Sequence, residues 1–290
     1  MLRNTFQHIP NIGPKRERLL WEADILNWEN FLNKNCFTSS HLPRTSTGIR
    51  VITESVQNLE EGNIRYFRNI LPKGELWRTY PEFMETSAFL DIETTGLDSR
   101  HSELTLIGIA DRNGYNAFVK GCNMEDFYEA VAQYDLIITF NGSSFDLPFI
   151  ETHLGNVFRH TAHIDLMRLL SSIGFRGGLK RIEVELGILR PSLLQNLNGY
   201  HAIELWNRHI AGQKQALPTL IRYNAEDVAS LPELIAIAFN QMVDRTGIEN
   251  FQHIGSKRPE IEHLCFDPEL ALEVIEGRRG YRAGSRPILL

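Results

Sequence analysis

Hydrophobic positions between residues 86 and 173 change their period several times. Alternation with a period of two predicts three successive strands, at residues 87–93, 103–111 and 115–119. A helical pattern over 124–134 and a continuous apolar run over 135–140 follow, and such a run is typical of a strand covered on both faces. Antiparallel strands followed by strands separated by helices predict an α/β fold with a mixed sheet.

Helical periodicity dominates the remaining chain. It predicts a short strand that runs into a helix over 162–173, and helices over 53–71, 144–154, 179–187, 200–211 and 217–243. Pro232 is expected to end or kink the last of these helices near Leu231. Residues 72–87 read as a loop. The periodic signal fades after residue 244, and the Gly- and Arg-rich stretch 276–287 predicts a mobile tail.

The N-terminal region has a pattern of its own, with two short predicted helices, the first of which begins at Pro14. A polar, turn-rich linker over 33–50 follows. We therefore expect four segments: an N-terminal module (1–34), a linker with a connecting helix (35–83), the α/β domain (84–243) and a C-terminal extension (244–290).

Composition limits the classes of function. The 290-residue chain has a net charge of −6, so contact with nucleic acid would need a local basic patch. Its cysteines, Cys36, Cys122 and Cys265, are far apart and odd in number, which predicts neither a disulfide framework nor a zinc site. Neither a signal peptide nor a stretch of membrane-spanning length is apparent. We expect a soluble, cytoplasmic protein without membrane partners.

Two carboxylates end the first strand of the α/β domain. Asp91 and Glu93 alternate with apolar residues, so they share one face with their Cα atoms about 7 Å apart. Solvated acids at a strand end are one interpretation, but the apolar residues of 88–92 favour a cleft, where unpaired charges are costly. A hard divalent cation would compensate them.

Two further acids lie on predicted helices, one in a first turn and the other on an inward-facing stripe. Asp146 lies in the first turn of one helix, where the helix dipole alone would favour it. Asp227 follows Tyr223 by one helical turn, on a stripe that continues through apolar residues and so faces inward. Glu226 falls beside this stripe and is predicted to be solvated.

These residues lie in three motifs, DIETTG, FNGSSFDLPFI and YNAEDV, which resemble in order and spacing the exonuclease motifs of the DEDD superfamily of 3′→5′ exonucleases. The second is similar to the proofreading domain of family B DNA polymerases. The whole layout, including LPKGELWRTYPEF before the first motif, resembles the YprB-type exonucleases. The resemblance covers about residues 70–240. It implies a ribonuclease H-like fold, a mixed five-stranded sheet flanked by helices.

The resemblance also implies roles for individual residues. Two divalent cations, Mg²⁺ or Mn²⁺, would be held by Asp91, Glu93, Asp146 and Asp227. Tyr223 would orient the attacking water, because a phenol with a pKa of about 10 is protonated at neutral pH. Arg222 stands where the sister subclass has a histidine, which indicates the tyrosine subclass.

Contacts to the terminal nucleotide are implied for Thr95, Asn141 and Phe145. For Asn141 and Phe145, a strand-end cap and a core anchor are the alternatives. Asp165 is instead predicted to be a helix N-cap, with His163 as a packing neighbour.

The N-terminal sequence IPNIGPKRERLL resembles a helix-hairpin-helix, which offers backbone N–H groups to a phosphate. Ile12, Gly13 and Lys15 would then contact nucleic acid. Asn11 stands where the motif has its first glycine, but asparagine tolerates positive φ. Packing against the rest of the protein is the alternative role for this module.

The leading hypothesis is a metal-dependent 3′→5′ exonuclease that acts on DNA, at single-stranded ends. A 3′→5′ exoribonuclease is the alternative enzyme, because no motif reports on the 2′-OH. A non-catalytic nucleic-acid-binding adaptor is disfavoured, since all four acids are present. A protein partner such as a helicase is compatible with the sequence but not indicated by it.

Overall fold

The computed structural model describes residues 1–33, 45–249 and 251–284, with side chains up to residue 277. Most of the predicted linker and the end of the predicted tail therefore lie outside the described residues, as does Cys36. Helices precede the sheet: α1 (Pro14–Glu22), α2 (Trp28–Leu32), α3 (Ser46–Glu60), α4 (Ile64–Ile70) and the single turn α5 (Tyr80–Phe83).

The helix predicted over 53–71 was wrong in two respects, because two helices occupy this region and the first begins at Ser46, inside the predicted linker. Gly62 between α3 and α4 has a φ of 68°, which a right-handed helix does not accommodate. The predicted loop over 72–87 is also more ordered than expected, with 3-10 turns at Lys73–Thr79 and Met84–Thr86 on either side of α5.

The predicted mixed five-stranded sheet is confirmed. Its strands are β1 (Ser87–Thr94), β2 (Leu104–Asp111), β3 (Gly114–Val119), β4 (Leu136–Thr139) and β5 (Ala162–Asp165), in the spatial order β3-β2-β1-β4-β5. β1 pairs antiparallel with β2, and β2 with β3, whereas β4 pairs parallel with both β1 and β5.

Helices cover both faces of this sheet. They are α6 (Phe127–Val131), α7 (Asp146–Leu154), α8 (Leu166–Ile173), α9 (Leu179–Leu186), α10 (Ser192–Asn196), α11 (Gly199–Ile210), α12 (Ala216–Ala229), α13 (Leu231–Asp244) and α14 (Pro268–Gly284). Ala88 and Leu90 of β1 pack against α6 and α7 on one face. Phe89 packs on the other face, in the cluster that contains α8, α13 and part of α12. Pro232 separates α12 from α13, as predicted.

The N-terminal module shares a hydrophobic core with the sheet. Phe6 and Trp28 belong to the same buried cluster as Phe67 and Phe89, and the rings of Trp28 and Phe67 stack with centroids 6.1 Å apart. Glu17 of α1 is buried and accepts a hydrogen bond from Arg78 at 3.1 Å. The N-terminal module therefore packs against the rest of the protein, which was the alternative role for it. The four-segment division of the chain stays a prediction.

The C-terminal extension departs from the predicted tail. Residues 251–267 run without a regular helix and then enter α14, which reaches into the segment expected to be irregular. Arg222 of α12 donates hydrogen bonds to the carbonyls of Ile261 and Leu264, at 2.8 and 2.9 Å, which ties this segment to the domain. Within the described residues, the helices are too short or too polar to cross a membrane.

Candidate active site

The carboxylates predicted on the first strand do meet an acid from a distant helix. Asp91 and Glu93 point to the face of the sheet that α12 covers, and the residue paired with Asp91 on β2 is Gly108. Asp227 approaches them from α12. One carboxylate oxygen from each of the three lies within 4.8 Å of the others. Such a set of oxygen ligands suits a hard divalent cation.

Asp146 lies close enough to Asp91 to affect its charge, although it is not one of the three acids whose oxygens lie within 4.8 Å of one another. It is the first residue of α7, and its charge is the second cause, after burial, that raises the pKa of Asp91. Burial also raises the pKa of Asp146 to about 7, against hydrogen bonds from the backbone N–H groups of Asp146 and Ile92. We call Asp91, Glu93, Asp146 and Asp227 the acid cluster.

The acid cluster carries more negative charge than its surroundings offset. Burial and then the Asp227 charge raise the pKa of Glu93 well above its usual range. Burial and three neighbouring acids do the same for the pKa of Asp91. A bound cation would relieve both the desolvation and the mutual repulsion of these carboxylates, and pKa values perturbed in this way are typical of functional sites.

Arg190 is one cation that reaches the acid cluster, and no motif in the sequence indicated it. It lies between α9 and α10, where a lone arginine is usually solvated, yet its side chain is only 2% exposed. Its guanidinium donates to Asp227 (Nη1–Oδ1 2.5 Å) and to the buried Glu183. One arginine is thus shared between two buried acids.

Asn224 is a second contact that the sequence analysis did not single out. It is fully buried on α12 next to Tyr223, and its Nδ2 lies 2.9 Å from Asp91 Oδ2 and 3.4 Å from Glu93 Oε1. Its Oδ1 accepts a hydrogen bond of 2.8 Å from the Tyr115 hydroxyl. The amide therefore links β3 to two members of the acid cluster.

Tyr223 is buried on α12, on the side that faces the acids. Burial, followed by the charges of Asp227 and Glu93, raises its pKa well above the usual value, so it remains a phenol at neutral pH. The Lys180 ammonium lies 4.6 Å from the centroid of its ring. Lys180 is a further basic residue near the acids that the sequence did not reveal.

Asp165 at the end of β5 holds the second motif, FNGSSFDLPFI, next to the sheet through hydrogen bonds. This residue is the N-cap of α8, as predicted, and accepts from the Met167 N–H at 3.1 Å. It also accepts from the N–H groups of Asn141 and Ser143, at 2.9 and 3.1 Å. Asn141 has a φ of 68°, and this bond helps to hold it there. His163 is a packing neighbour that hydrogen-bonds Thr139 at 2.9 Å.

Two other predicted nucleotide contacts, Thr95 and Phe145, have internal partners. The Thr95 hydroxyl accepts from the Glu103 N–H at 2.8 Å across the connection between β1 and β2. Phe145 is half-buried, with its ring 5.5 Å from that of Phe149. These contacts agree with structural roles, and contact with a nucleotide stays a prediction for Thr95, Asn141 and Phe145.

The predicted phosphate contacts of the N-terminal module lie at the start of α1, apart from the acid cluster. Ile12 is buried in the hydrophobic core, whereas Gly13 and Lys15 are exposed. Asn11 has a φ of 66°, a backbone conformation that asparagine tolerates. Phosphate binding here remains a prediction.

The prediction that Glu226 is solvated was wrong. Its side chain is 1% exposed and accepts hydrogen bonds from Arg222 at 2.8 Å and from Arg258 at 2.5 Å. We call these three residues the Glu226 network. Arg258 belongs to the C-terminal extension, so the sequence near Glu226 does not show what covers it.

Comparison with known proteins gives one family. The sequence model of the RNase_H superfamily matches residues 88–238, just over half of the chain and the whole of the region that carries the acid cluster. A search of curated proteins finds none that matches.

Several solved structures align with part of this chain. A nuclease in its apo form is 16% identical, with 73% of this chain and 93% of that chain covered and a TM-score of 0.41. A family B DNA polymerase from Pyrobaculum calidifontis is 18% identical, with 70% and 30% covered and a TM-score of 0.41. Brucella melitensis NrnC with bound Mg²⁺ is 18% identical, with 72% and 92% covered and a TM-score of 0.39. At such TM-scores these likenesses carry no argument about activity or substrate.

Proposed function

Because this chain belongs to the RNase H superfamily, we propose that it is a metal-dependent 3′→5′ exonuclease that hydrolyses phosphodiester bonds of nucleic acid. The observation that carries this proposal is the acid cluster. It joins residues from β1, α7 and α12, with one oxygen each from Asp91, Glu93 and Asp227 within 4.8 Å. The nuclease class follows from the family, whereas the exonuclease polarity rests on the motif resemblance.

The acid cluster fits divalent ions by its chemistry. All its donors are carboxylate oxygens, and its four charges face Arg190 and the neutral amide of Asn224. We assign Asp91, Glu93, Asp146 and Asp227 as ligands of two ions, Mg²⁺ or Mn²⁺. When bound, such ions would activate water for attack on phosphorus and stabilise the departing 3′ oxygen.

The chain's own residues would orient the reactants. Tyr223, held neutral by burial and by the acids, is suited to accept or donate one hydrogen bond to the attacking water. It is not suited to act as a general base at neutral pH, because its pKa is raised. Arg190 holds the Asp227 carboxylate at 2.5 Å and so fixes its orientation.

For the substrate we favour DNA with single-stranded ends, and an exoribonuclease is the alternative. Support for DNA comes from the N-terminal module, where Gly13 and Lys15 are exposed at the start of α1. A helicase or similar partner is compatible with this activity. We propose a cytoplasmic location, since the free thiols of Cys122 and Cys265 are exposed and suit a reducing compartment.

The direct test uses single-stranded DNA and RNA of the same sequence, each labelled at the 5′ end in one sample and at the 3′ end in another. With Mg²⁺ or Mn²⁺, a 3′→5′ exonuclease gives a descending ladder from the 5′ label and a released mononucleotide from the 3′ label. EDTA should stop the reaction. Internal cuts at early times, or cleavage that persists in EDTA, would contradict the proposal.

A further inference from the structure

A buried amide lies between the two carboxylates of β1 and a tyrosine of β3. Asn224 Nδ2 faces Asp91 Oδ2 at 2.9 Å and Glu93 Oε1 at 3.4 Å, and Asn224 Oδ1 faces the Tyr115 hydroxyl at 2.8 Å. We infer that Asn224, oriented by Tyr115, is a positioning residue that holds Asp91 and Glu93 in the arrangement that binds metal. The inference rests on the proposed function, which makes these acids metal ligands.

The direction of the hydrogen bonds fixes which end of the amide faces the acids. As metal ligands, Asp91 and Glu93 would be ionised and would only accept hydrogen bonds, so the NH₂ group must point to them. The amide oxygen then points away and needs a donor, because an unpaired buried acceptor is costly. The Tyr115 hydroxyl is that donor. A flipped amide would place its oxygen against two carboxylates and its NH₂ against a hydroxyl.

The sheet leaves space for this amide at Gly108. Gly108 of β2 is paired with Asp91, and a Cβ built on Gly108 would lie 1.7 Å from Asn224 Oδ1 and 2.8 Å from the Tyr115 hydroxyl oxygen. Only glycine leaves this space. Three elements, β2, β3 and α12, thus contribute to the placement of one side chain.

The placement has a consequence for metal binding. One NH₂ group bridges two acids that otherwise repel each other, and it occupies only one oxygen of each. Among the described residues, the other oxygen of each acid has no hydrogen-bond donor, so it is available to a cation. Partners of this kind, which contact ligands rather than the metal, typically change metal affinity by about 10–100-fold when removed. Asn224 acts on Asp91 and Glu93 directly, and Tyr115 acts through Asn224.

The test measures Mn²⁺ binding to the full chain by calorimetry, without nucleic acid. Asn224→Leu keeps a similar volume but removes all three hydrogen bonds of the amide, and Tyr115→Phe removes only the donor to the amide oxygen. We expect Mn²⁺ affinity to fall about 10–100-fold in Asn224→Leu and by less in Tyr115→Phe. In the double variant, Tyr115→Phe should add nothing, because its effect passes through the amide. Tyr134→Phe is the control, since its hydroxyl bonds the carboxylate of Asp111 at 3.1 Å, outside the acid cluster.

The outcomes separate this inference from the proposed function. If both variants bind Mn²⁺ like the wild type while the wild type degrades DNA, the positioning inference alone is overturned. If the wild type binds Mn²⁺ and the variants bind it weakly, but no nucleic acid is shortened, the exonuclease proposal fails and the inference stands. Equal effects of Tyr115→Phe with and without Asn224 would also overturn it. Should Asn224→Leu fail to fold, Tyr115→Phe against Tyr134→Phe decides.

Discussion

Glu226 and Asp227 are neighbours on α12, yet they lie in opposite electrostatic surroundings. Glu226 is met by two arginines, with contacts of 2.8 and 2.5 Å. Asp227 shares Arg190 with Glu183 and lies among the other members of the acid cluster. Both side chains are buried. Burial of a carboxylate therefore does not by itself indicate a functional site on this helix.

Charge balance separates the two regions. In the Glu226 network the charges balance, because Arg222 and Arg258 meet Glu226 and Arg258 also pairs with Glu233 at 3.7 Å. Arg222 also donates to two backbone carbonyls of the C-terminal extension. This network joins two parts of the chain. In the acid cluster the acids outnumber the cations, which raises the pKa values of Asp91 and Glu93 and lowers the stability of the metal-free protein. We expect the Glu226 network to contribute to stability, and we expect the acid cluster to contribute to function at a cost in stability.

The largest expected effect is the loss of cleavage in Asp91→Asn. Activity should fall by roughly 10³-fold or more, since loss of one stabilising group in a preorganised site already costs about 10²–10³-fold. The unfolding midpoint in EDTA should be equal to or higher than that of the wild type, because one of four repelling carboxylates is neutralised. The exonuclease assay and thermal unfolding check the two parts.

Asp98→Asn is the matched control, because Asp98 is an exposed acid just beyond β1 that pairs with His101. It should leave both measurements unchanged. Near-full activity of Asp91→Asn in Mg²⁺ would remove the acid cluster from the mechanism. A clear loss of stability would instead place Asp91 with the Glu226 network, as a structural charge.

The second prediction concerns an uncharged residue of α12. Tyr223→Phe should lower the rate roughly 10²–10⁴-fold, as expected for the loss of one group that orients water. Mn²⁺ affinity and the unfolding midpoint should change little, since the ring keeps its packing and the carboxylates are intact. Cleavage rates at saturating metal measure the first effect, and calorimetry measures the Mn²⁺ affinity.

Tyr128→Phe is the control for this hydroxyl, because the Tyr128 hydroxyl donates to the Leu154 carbonyl on α7. If Tyr223→Phe cleaves at the wild-type rate, Tyr223 is a core aromatic. The resemblance to the tyrosine subclass would then be one of shape.

The third prediction tests the balanced region. Glu226→Gln should lower the free energy of unfolding by about 3–5 kcal/mol, because it leaves the buried Arg222 without its counter-charge and leaves Arg258 only its longer pair with Glu233, at 3.7 Å. Urea denaturation measures this loss. Glu204→Gln is the matched control, a helical pair with Arg208 at the same spacing but with Glu204 46% exposed, and it should cost about 1 kcal/mol or less. Equal losses in the two variants would contradict the contrast.

Local pattern explains most of the fold that the sequence predicted. The five strands and the break at Pro232 depend on residues close in the chain. The RNase H-like architecture was instead implied by the resemblance of the three motifs, and it is confirmed. The region 53–71 was predicted as one helix, but the positive φ of Gly62 separates it into two. Apolar periodicity continues across this residue, so it does not reveal the break.

Long-range partners explain what the sequence did not show. Glu226 was predicted to be solvated because its second arginine, Arg258, is 32 residues away in a segment without periodicity. Arg190 and Tyr115 lie outside every motif, and only the fold brings them to Asp227 and Asn224. The sequence identified acids that form a recognisable pattern, whereas the groups that orient those acids have no pattern of their own.

The smallest expected effect concerns a buried group that belongs to neither region. His8 is buried against Trp28, with ring centroids 5.5 Å apart, and within the described residues neither ring nitrogen has a hydrogen-bond partner. Burial, and then the Arg78 charge, lowers its pKa to about 3. It therefore has neither the counter-charge of Glu226 nor the excess charge of the acid cluster.

The sign of the pH dependence follows from this lowered pKa. Below pH 6.5 the unfolded chain binds a proton at His8 while the native state stays neutral down to about pH 3, so stability is lost as pH falls across this window. At pH 5 the loss relative to pH 8 should be about 2 kcal/mol. His8→Phe, which keeps a ring against Trp28, should lack it. The acid cluster titrates alike in both proteins, so the difference in unfolding free energy between wild type and variant isolates His8. His101→Gln, with a side chain 81% exposed in the wild type, is the control and should retain the loss. A difference that stays constant from pH 8 to pH 5 would mean that the native state accommodates a proton at His8, and burial without a partner would then not set its charge.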